Sequence, residues 1–298
     1  MKKFDFDFYK NRKILFGISI GLMVIGLIFN FIRGTKMDIQ FVGGAMIKYS
    51  VDGEVDTDEI ASLVKEETGR DVSVALSKTF GTDANQVTLF FAGNEAVTLD
   101  EQQAIAQSLS DAYADRTFNV VESSSVDPTM GAKFFQKCLV CLLITFVILL
   151  VYIALRFKKI GGLSAGVTAL IALVHDVLLV YFAFVIFGFS INDIFIAVIL
   201  TILGYSLNDT IIIYDRIREN RRIMGPRAEI GELVNTSINQ TLTRTINTSV
   251  ATVMAVGVVV VVGLVYNLSS VVTFALPLMF GIICGCYSST CITGPLWV

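Results

Sequence analysis

Apolar residues dominate six long stretches of the chain, and between the first two of these they alternate with polar ones instead. The long runs fall at about Ile14 to Ile32, Cys138 to Leu155, Gly162 to Phe189, Ile194 to Ile213, Thr245 to Leu264 and Val271 to Leu296. Each has roughly 18 residues or more, enough for a helix rising ~1.5 Å per residue to cross a hydrocarbon core ~30 Å thick. The pattern predicts an α-helical polytopic membrane protein with transmembrane helix 1 over residues 14–33 and helices 2 to 6 within residues 136–298.

Residues 34–135 read differently. Met46 to Val51, Asp71 to Phe80, Gln86 to Gly93 and Thr117 to Val126 are rich in β-branched and aromatic residues and predict strands. Between them, Thr57 to Gly69 sets Ile60, Leu63 and Val64 on one helical face and ends at a glycine. Thr98 to Tyr113 does the same with Leu99, Ile105 and Leu109, and its TLDE opening fits a capping box. The order βαββαβ predicts a small ferredoxin-like α+β domain, an antiparallel sheet with two helices on one face.

Composition supports the membrane reading. Of 298 residues 54% are hydrophobic and 16% charged, and the mean hydropathy is +0.70, which excludes an ordinary soluble domain. MKKFDFDFYKNRK followed by an apolar run resembles a signal peptide, but the run is too long for one and no small-residue cleavage site follows, so a retained helix is expected. Charge then orients the spans. Between Lys36 and Lys137 lie 17 of the 26 acidic residues but 8 of the 23 basic ones. The short connections are basic: Lys2, Lys3, Lys10, Arg12 and Lys13; Arg156, Lys158 and Lys159; Arg216, Arg218, Arg221, Arg222 and Arg227. Positive segments stay in the cytoplasm, which predicts a cytoplasmic N-terminus over residues 1–13, a cytoplasmic segment at about 216–240, both termini inside and the α+β domain outside. Within that segment Glu229 to Gln240 predicts a short interfacial helix with Ile230, Leu233, Val234 and Ile238 on one side.

The α+β domain has no His, no Cys, no nucleophile constellation and no phosphate loop, since Gly43-Gly44 is a lone pair. An interaction module is expected, not an enzyme, with no metal and no cofactor. All five cysteines fall in predicted spans, and Cys138-Leu-Val-Cys141 reads as packing.

Candidate chemistry lies in the membrane, where a charge at the bilayer centre costs about 2.5 to 3.5 kcal/mol and asks for a reason. His175 and Asp176 in span three, Asp209 in span four and Arg244 at the start of span five are the candidates; Asp193 and Asp215 sit at the span mouths. Asp209 lies about two turns inward of Arg216, and Arg244 enters from the same side, so the two are plausible partners if their spans are neighbours. A carboxylate beside an arginine stays ionised, and protonation would break the pair, a switch that a proton gradient could drive. The alternative is a snorkelling Arg244 with Asp209, Asn208 and Ser206 in a static interhelical cluster. His175 and Asp176 are adjacent residues, which do not face each other on a helix, and at some 20 Å from the inner end of span three they are remote from Arg244. Gly281, Gly285 and Ser289 form a small-residue stripe suited to close helix packing.

The motifs ALVHDVLLV (Ala172 to Val180), GYSLNDTIIIYDRIREN (Gly204 to Asn220) and QTLTRTINTSVATVM (Gln240 to Met254), in a six-span chain with one small outside domain, resemble the SecF family of the SecDF protein-export complex, within the resistance-nodulation-division superfamily. The resemblance implies a subunit that pairs with SecD, associates with the SecYEG channel and uses the proton-motive force to promote late steps of preprotein export across the bacterial cell membrane. It also implies that the membrane pair of the family's NDT or NDS and RT motifs falls on Asp209 and Arg244. A small-molecule exporter of the same superfamily and a non-transporting scaffold for SecD are the alternatives; the exporter would need a larger outside domain and a second homologous half. Gln40 stands where the family has Asp and Asp127 where it has Gly, and the chain ends at GPLWV without the family's charged tail.

Overall fold

The structure is a computed structural model that describes residues 6–53, 55–78, 84–91, 97–113, 116–126, 128–225, 227–266 and 268–298. Lys2, Lys3, Asp127 and the predicted strand ends at Thr79-Phe80 and Ala92-Gly93 lie outside the described residues. The chain begins with α1 (Arg12–Arg33) and the short α2 (Ile39–Val42), then runs β1 (Gly44–Asp52), α3 (Thr57–Thr68), β2 (Val72–Lys78), β3 (Ala84–Phe91), α4 (Leu99–Ala112) and β4 (Asn119–Val126). After these come α5 (Pro128–Arg156), α6 (Gly162–Phe187), α7 (Asp193–Met224), α8 (Ile230–Val265), α9 (Ser269–Ser288), a π-helical turn (Ser289–Thr293) and α10 (Gly294–Trp297). Two units form, one of Met1–Lys36, Val140–Val259 and Thr273–Val298, the other of Met37–Leu139 and Val260–Val272.

In the second unit the four strands make an antiparallel sheet in the order β2-β3-β1-β4. Alternation decides which face is covered: Ile47, Tyr49 and Val51 of β1 and Val87, Leu89 and Phe91 of β3 are buried, pairing as Ile47 with Leu89 and Tyr49 with Val87. Ile60 and Val64 of α3 and Ile105 and Leu109 of α4 close over that face. Burial pushes the Tyr49 phenol up to about 12.

Both helices are started by side chains. Asp56 accepts from the backbone N–H of Asp58 at 2.8 Å, and Gly69 ends α3 in the left-handed region at φ 66°. At α4 the expected capping box is present: Glu101 N donates to Thr98 Oγ1 at 3.3 Å and Thr98 N to Glu101 Oε2 at 2.7 Å. Those Thr98 donors hold the Glu101 carboxyl below its usual range. A depressed carboxyl stabilises the fold above its unfolded pKa and loses that contribution as pH falls through the folded one. Thr98→Ala is therefore expected to cost about 1 kcal/mol at neutral pH and less in acid, read from unfolding midpoints at the two pH values.

Among the described residues, six helices are long and apolar enough to cross a membrane. Within the first unit α6 and α7 are the most enclosed, each 56% buried over its apolar window against 17% for α1 and for α8. Their neighbours come close where side chains are small: a Cβ at Gly26 of α1 would overlap the Phe182 ring of α6, and one at Gly166 of α6 would come within 2.9 Å of Leu150.

One predicted element is corrected. Glu229 to Gln240 is no separate interfacial helix, because α8 runs unbroken from Ile230 to Val265. No proline interrupts it, and Leu233, Val234 and Ile238 are buried in the bundle while Ile230 is 40% exposed. Asn235 and Asn239 on this segment bind the chain start, accepting from Phe8 N at 2.9 Å and Phe6 N at 3.1 Å.

Candidate functional site

Close packing of α6, α7 and α9 puts hydroxyls around a buried carboxyl. A Cβ on Gly281 would overlap Ile202 of α7, and one on Gly285 would come within 3.0 Å of the Ser206 Cβ, so the small-residue stripe lets the two helices meet. Ser206 and Ser288 are thereby brought to Asp176, whose Oδ2 accepts from both hydroxyls at 2.7 Å. Asp176 is fully enclosed. The hydroxyls continue past it: Ser206 Oγ lies 3.5 Å from Ser289 Oγ, which lies 3.1 Å from Thr210 Oγ1 and donates to the Ser206 carbonyl at 3.0 Å. Ser289 opens the π-helical turn, a local widening that re-aims side chains and recurs at functional sites.

His175 departs from expectation. Its Nδ1 lies 3.2 Å from Asp176 Oδ1, although the two are adjacent on α6. Both side chains are short, and bending toward each other spans the roughly 100° between neighbouring helix positions. The other ring nitrogen, Nε2, is buried without a hydrogen-bond partner among the described residues.

Facing α7, α8 runs antiparallel in a register fixed by three side-chain bonds. Asn220 Nδ2 donates to Ser237 Oγ at 2.9 Å, Arg216 Nε to Gln240 Oε1 at 2.6 Å, and Tyr205 OH to Ser249 Oγ at 3.2 Å. That register puts Asp209 between the levels of Thr245 and Ile246, and Arg244 one to two residues, ~2–3 Å, nearer the hairpin. Asp209 is 1% exposed, and its Oδ2 has no hydrogen-bond partner among the described residues. Thr245 is fully buried, and its Oγ1 also lacks one. Buried polar atoms are nearly always paired, so two orphans at one level of facing helices mark a polar gap that the packing has not filled.

The expected pairing of Asp209 with Arg244 is thus a neighbourhood without a closed ion pair: no carboxylate lies within 4.0 Å of Arg244 among the described residues. Arg244 is exposed and lines a cavity at the hairpin end of α7 and α8. The static cluster is not what forms either, because Ser206 is bound to Asp176 and Asn208 is exposed on the opposite side of α7 from the packed core. Asn208 shares that outer stripe with Ala197, Thr201 and Gly204, all exposed. Thr245, Ser288 and Thr210 escape sequence reasoning because hydroxyls in apolar runs usually satisfy their own helix backbone. Asp215, expected at a wet mouth, is half-buried between Arg218 at 2.7 Å and Arg156 at 3.4 Å. Among the described residues no group of His, Cys, Asp and Glu could hold a metal ion.

Comparison with known proteins gives a consistent picture. The family model "Protein export membrane protein SecD/SecF, C-terminal" matches residues 105–298. The protein translocase subunit SecF of Petrotoga mobilis is 31% identical over 295 residues, covering 98% of this chain and 95% of that protein. Protein translocase subunit SecDF of Bacillus subtilis is 31% identical over 98% of this chain, which corresponds to 38% of that longer protein. Among solved structures, SecDF of Thermus thermophilus, described as a translocon-associated membrane protein, matches with a TM-score of 0.81 and 26% identity over 98% of this chain and 38% of that one.

Proposed function

The chain belongs to the SecD/SecF family of protein-export membrane proteins, and from that premise we propose that it is an accessory subunit of the Sec preprotein translocase. In this reading it works beside SecD at the SecYEG channel and uses the proton-motive force, with no cofactor, to promote late steps of export across the bacterial cell membrane. The observation that carries the coupling is Asp209, a buried carboxyl with an unpartnered oxygen, level with the orphan hydroxyl of Thr245 and half a turn from Arg244.

Protonation of Asp209 removes the charge that holds Arg244 toward it, and deprotonation restores that charge, so the spacing of α7 and α8 follows the proton. The hydroxyl series Asp176, Ser206, Ser289 and Thr210 ends one residue from Asp209 and supplies groups that can pass a proton toward it, with His175 at its far end.

Topology in this reading follows the charges. The N-terminus binds the start of α8 through Asn239, Trp297 Nε1 donates to Ser164 Oγ at 3.1 Å, and Arg156 meets Asp215. Phe6, Trp297 and the basic connections thus sit at one end of the bundle, supporting a cytoplasmic assignment for that end, and the acidic balance of residues 36–137 supports an extracytoplasmic one for the α+β domain. The strand order β2-β3-β1-β4 supports a ferredoxin-like description of that unit. SecD as partner is supported by the fused SecDF relatives and by the exposed small and polar stripe of Ala197, Thr201, Gly204 and Asn208, which suits another helix better than lipid.

The reading is tested with proteoliposomes that hold SecYEG, SecD and this chain. Imposing a proton gradient should speed the late phase of preprotein transport in their presence and leave it unchanged in vesicles lacking the chain. Equal rates with and without the gradient would remove the coupling and leave a scaffold.

A further inference from the structure

The cavity of about 580 Å³ at the hairpin end of α7 and α8 falls in the ~300–1,000 Å³ range of small-molecule sites, and its charge is unbalanced. Four arginines line it, Arg216, Arg218, Arg222 and Arg244, with two acids, Asp215 and Glu219. The acids are already occupied. Asp215 lies 2.7 Å from Arg218 and 3.4 Å from Arg156, and Glu219 lies 2.6 Å from Arg216. Arg216 also spends its Nε on Gln240. Arg222 of α7 and Arg244 of α8 are left with no carboxylate within 4.0 Å among the described residues. Two uncompensated guanidinium forks from different helices therefore border one cavity.

We propose that this cavity binds a phosphate-bearing anion held between Arg222 and Arg244. Each guanidinium presents a planar fork that pairs best with two oxygens, and the tetrahedral oxygens of a phosphate, ester oxygens included in a lipid headgroup, can meet forks arriving from two helices, where the two oxygens of a carboxylate lie in one plane. Placement favours the same chemistry. A basic pocket between membrane helices at the bundle end where the basic connections gather sits at headgroup level, and such pockets take acidic lipid headgroups. Free phosphate carries the same oxygens and is the second source. Because Arg244 is also the coupling cation proposed above, an anion in the cavity would compete with Asp209 for it. Binding itself does not depend on that coupling.

The full chain in mild detergent is titrated with dioctanoyl phosphatidylglycerol, with dioctanoyl phosphatidylcholine and with inorganic phosphate, and binding is followed by native mass spectrometry and by the thermal midpoint. Phosphatidylglycerol, inorganic phosphate or both should bind and raise the midpoint, and the zwitterionic lipid should not. Which of the two anions acts identifies the source. Arg222→Gln should weaken binding about fivefold to tenfold, as expected for one basic residue near a lipid surface, and Arg222→Lys, which keeps the charge but not the planar fork, should restore only part of it. Asp209→Asn, which removes the competing carboxylate, should bind the anion at least as tightly as the unaltered chain while losing the gradient response, which separates this site from the coupling reading. Equal binding of the zwitterionic lipid, or an Arg222→Gln chain that binds as tightly as the original, would overturn the proposal.

Discussion

Asp209→Asn is expected to abolish the stimulation of preprotein transport by an imposed proton gradient, while transport without the gradient and association with SecD stay unchanged. The substitution keeps the size and shape of the side chain and breaks no hydrogen bond to Oδ2 among the described residues, because that oxygen has no partner there. Stability should accordingly change little. What the amide cannot do is take up and release a proton, and a positioned proton carrier typically contributes ~10²-fold or more to the step it serves. The gradient-dependent component should fall to background. Arg244→Met should match it, since the charge that responds is then missing instead of the charge that changes. Thr245→Val, which removes the facing hydroxyl at nearly constant volume, should reduce the stimulation without abolishing it. Gradient stimulation that persists in the Asp209→Asn chain would exclude this residue as the carrier.

Asp176→Ala is expected to cost the bundle roughly 2–4 kcal/mol of stability. The carboxyl accepts two hydroxyls from two other helical elements at 2.7 Å each, and removing the partner of a buried polar group costs about 1–3 kcal/mol. Removal leaves the Ser206 and Ser288 hydroxyls in an enclosed space with one acceptor fewer, and a cavity besides. Asp176→Asn keeps an acceptor oxygen and should lose much less. Unfolding midpoints of the purified chain in detergent decide this: an Asp176→Ala chain that melts with the original would mean that the serines find other acceptors and that Asp176 does not clasp α6 to α7 and α9.

Hydrophobic periodicity was enough to read the spans, because each apolar run matches a membrane thickness and nothing else in water requires six of them. It was enough for the α+β unit as well, where burial alternates along β1 and the TLDE box marks the start of α4. Helix ends were less legible. Polar residues beyond Ile213 and before Thr245 read as a cytoplasmic segment with one short separate helix, yet α7 and α8 continue through them, since Asn220 of α7 donates to both Ser237 and Gln240 of α8 across the hairpin. At the site, rarity pointed to Asp176 and Asp209, because a carboxyl among apolar neighbours stands out. Their hydroxyl surroundings did not stand out. Ser288 and Ser289 lie in the sixth span, more than a hundred residues beyond Asp176, and which rotation of α9 presents them depends on the glycine contacts with α7 and on the π-helical turn.

The asparagine clasp on the chain start has a consequence for the order in which the molecule is made. Phe6 and Phe8 reach their acceptors on Asn239 and Asn235 across 233 and 227 residues of sequence. During synthesis the first helix is therefore in the bilayer long before the groups that hold its leading segment exist. Until α8 emerges from the ribosome those backbone amides must rest on water or lipid headgroups, and the bundle closes at its amino end only when four-fifths of the chain has been translated. A tag fused directly ahead of Phe6 would thus burden the last step of assembly, not the first.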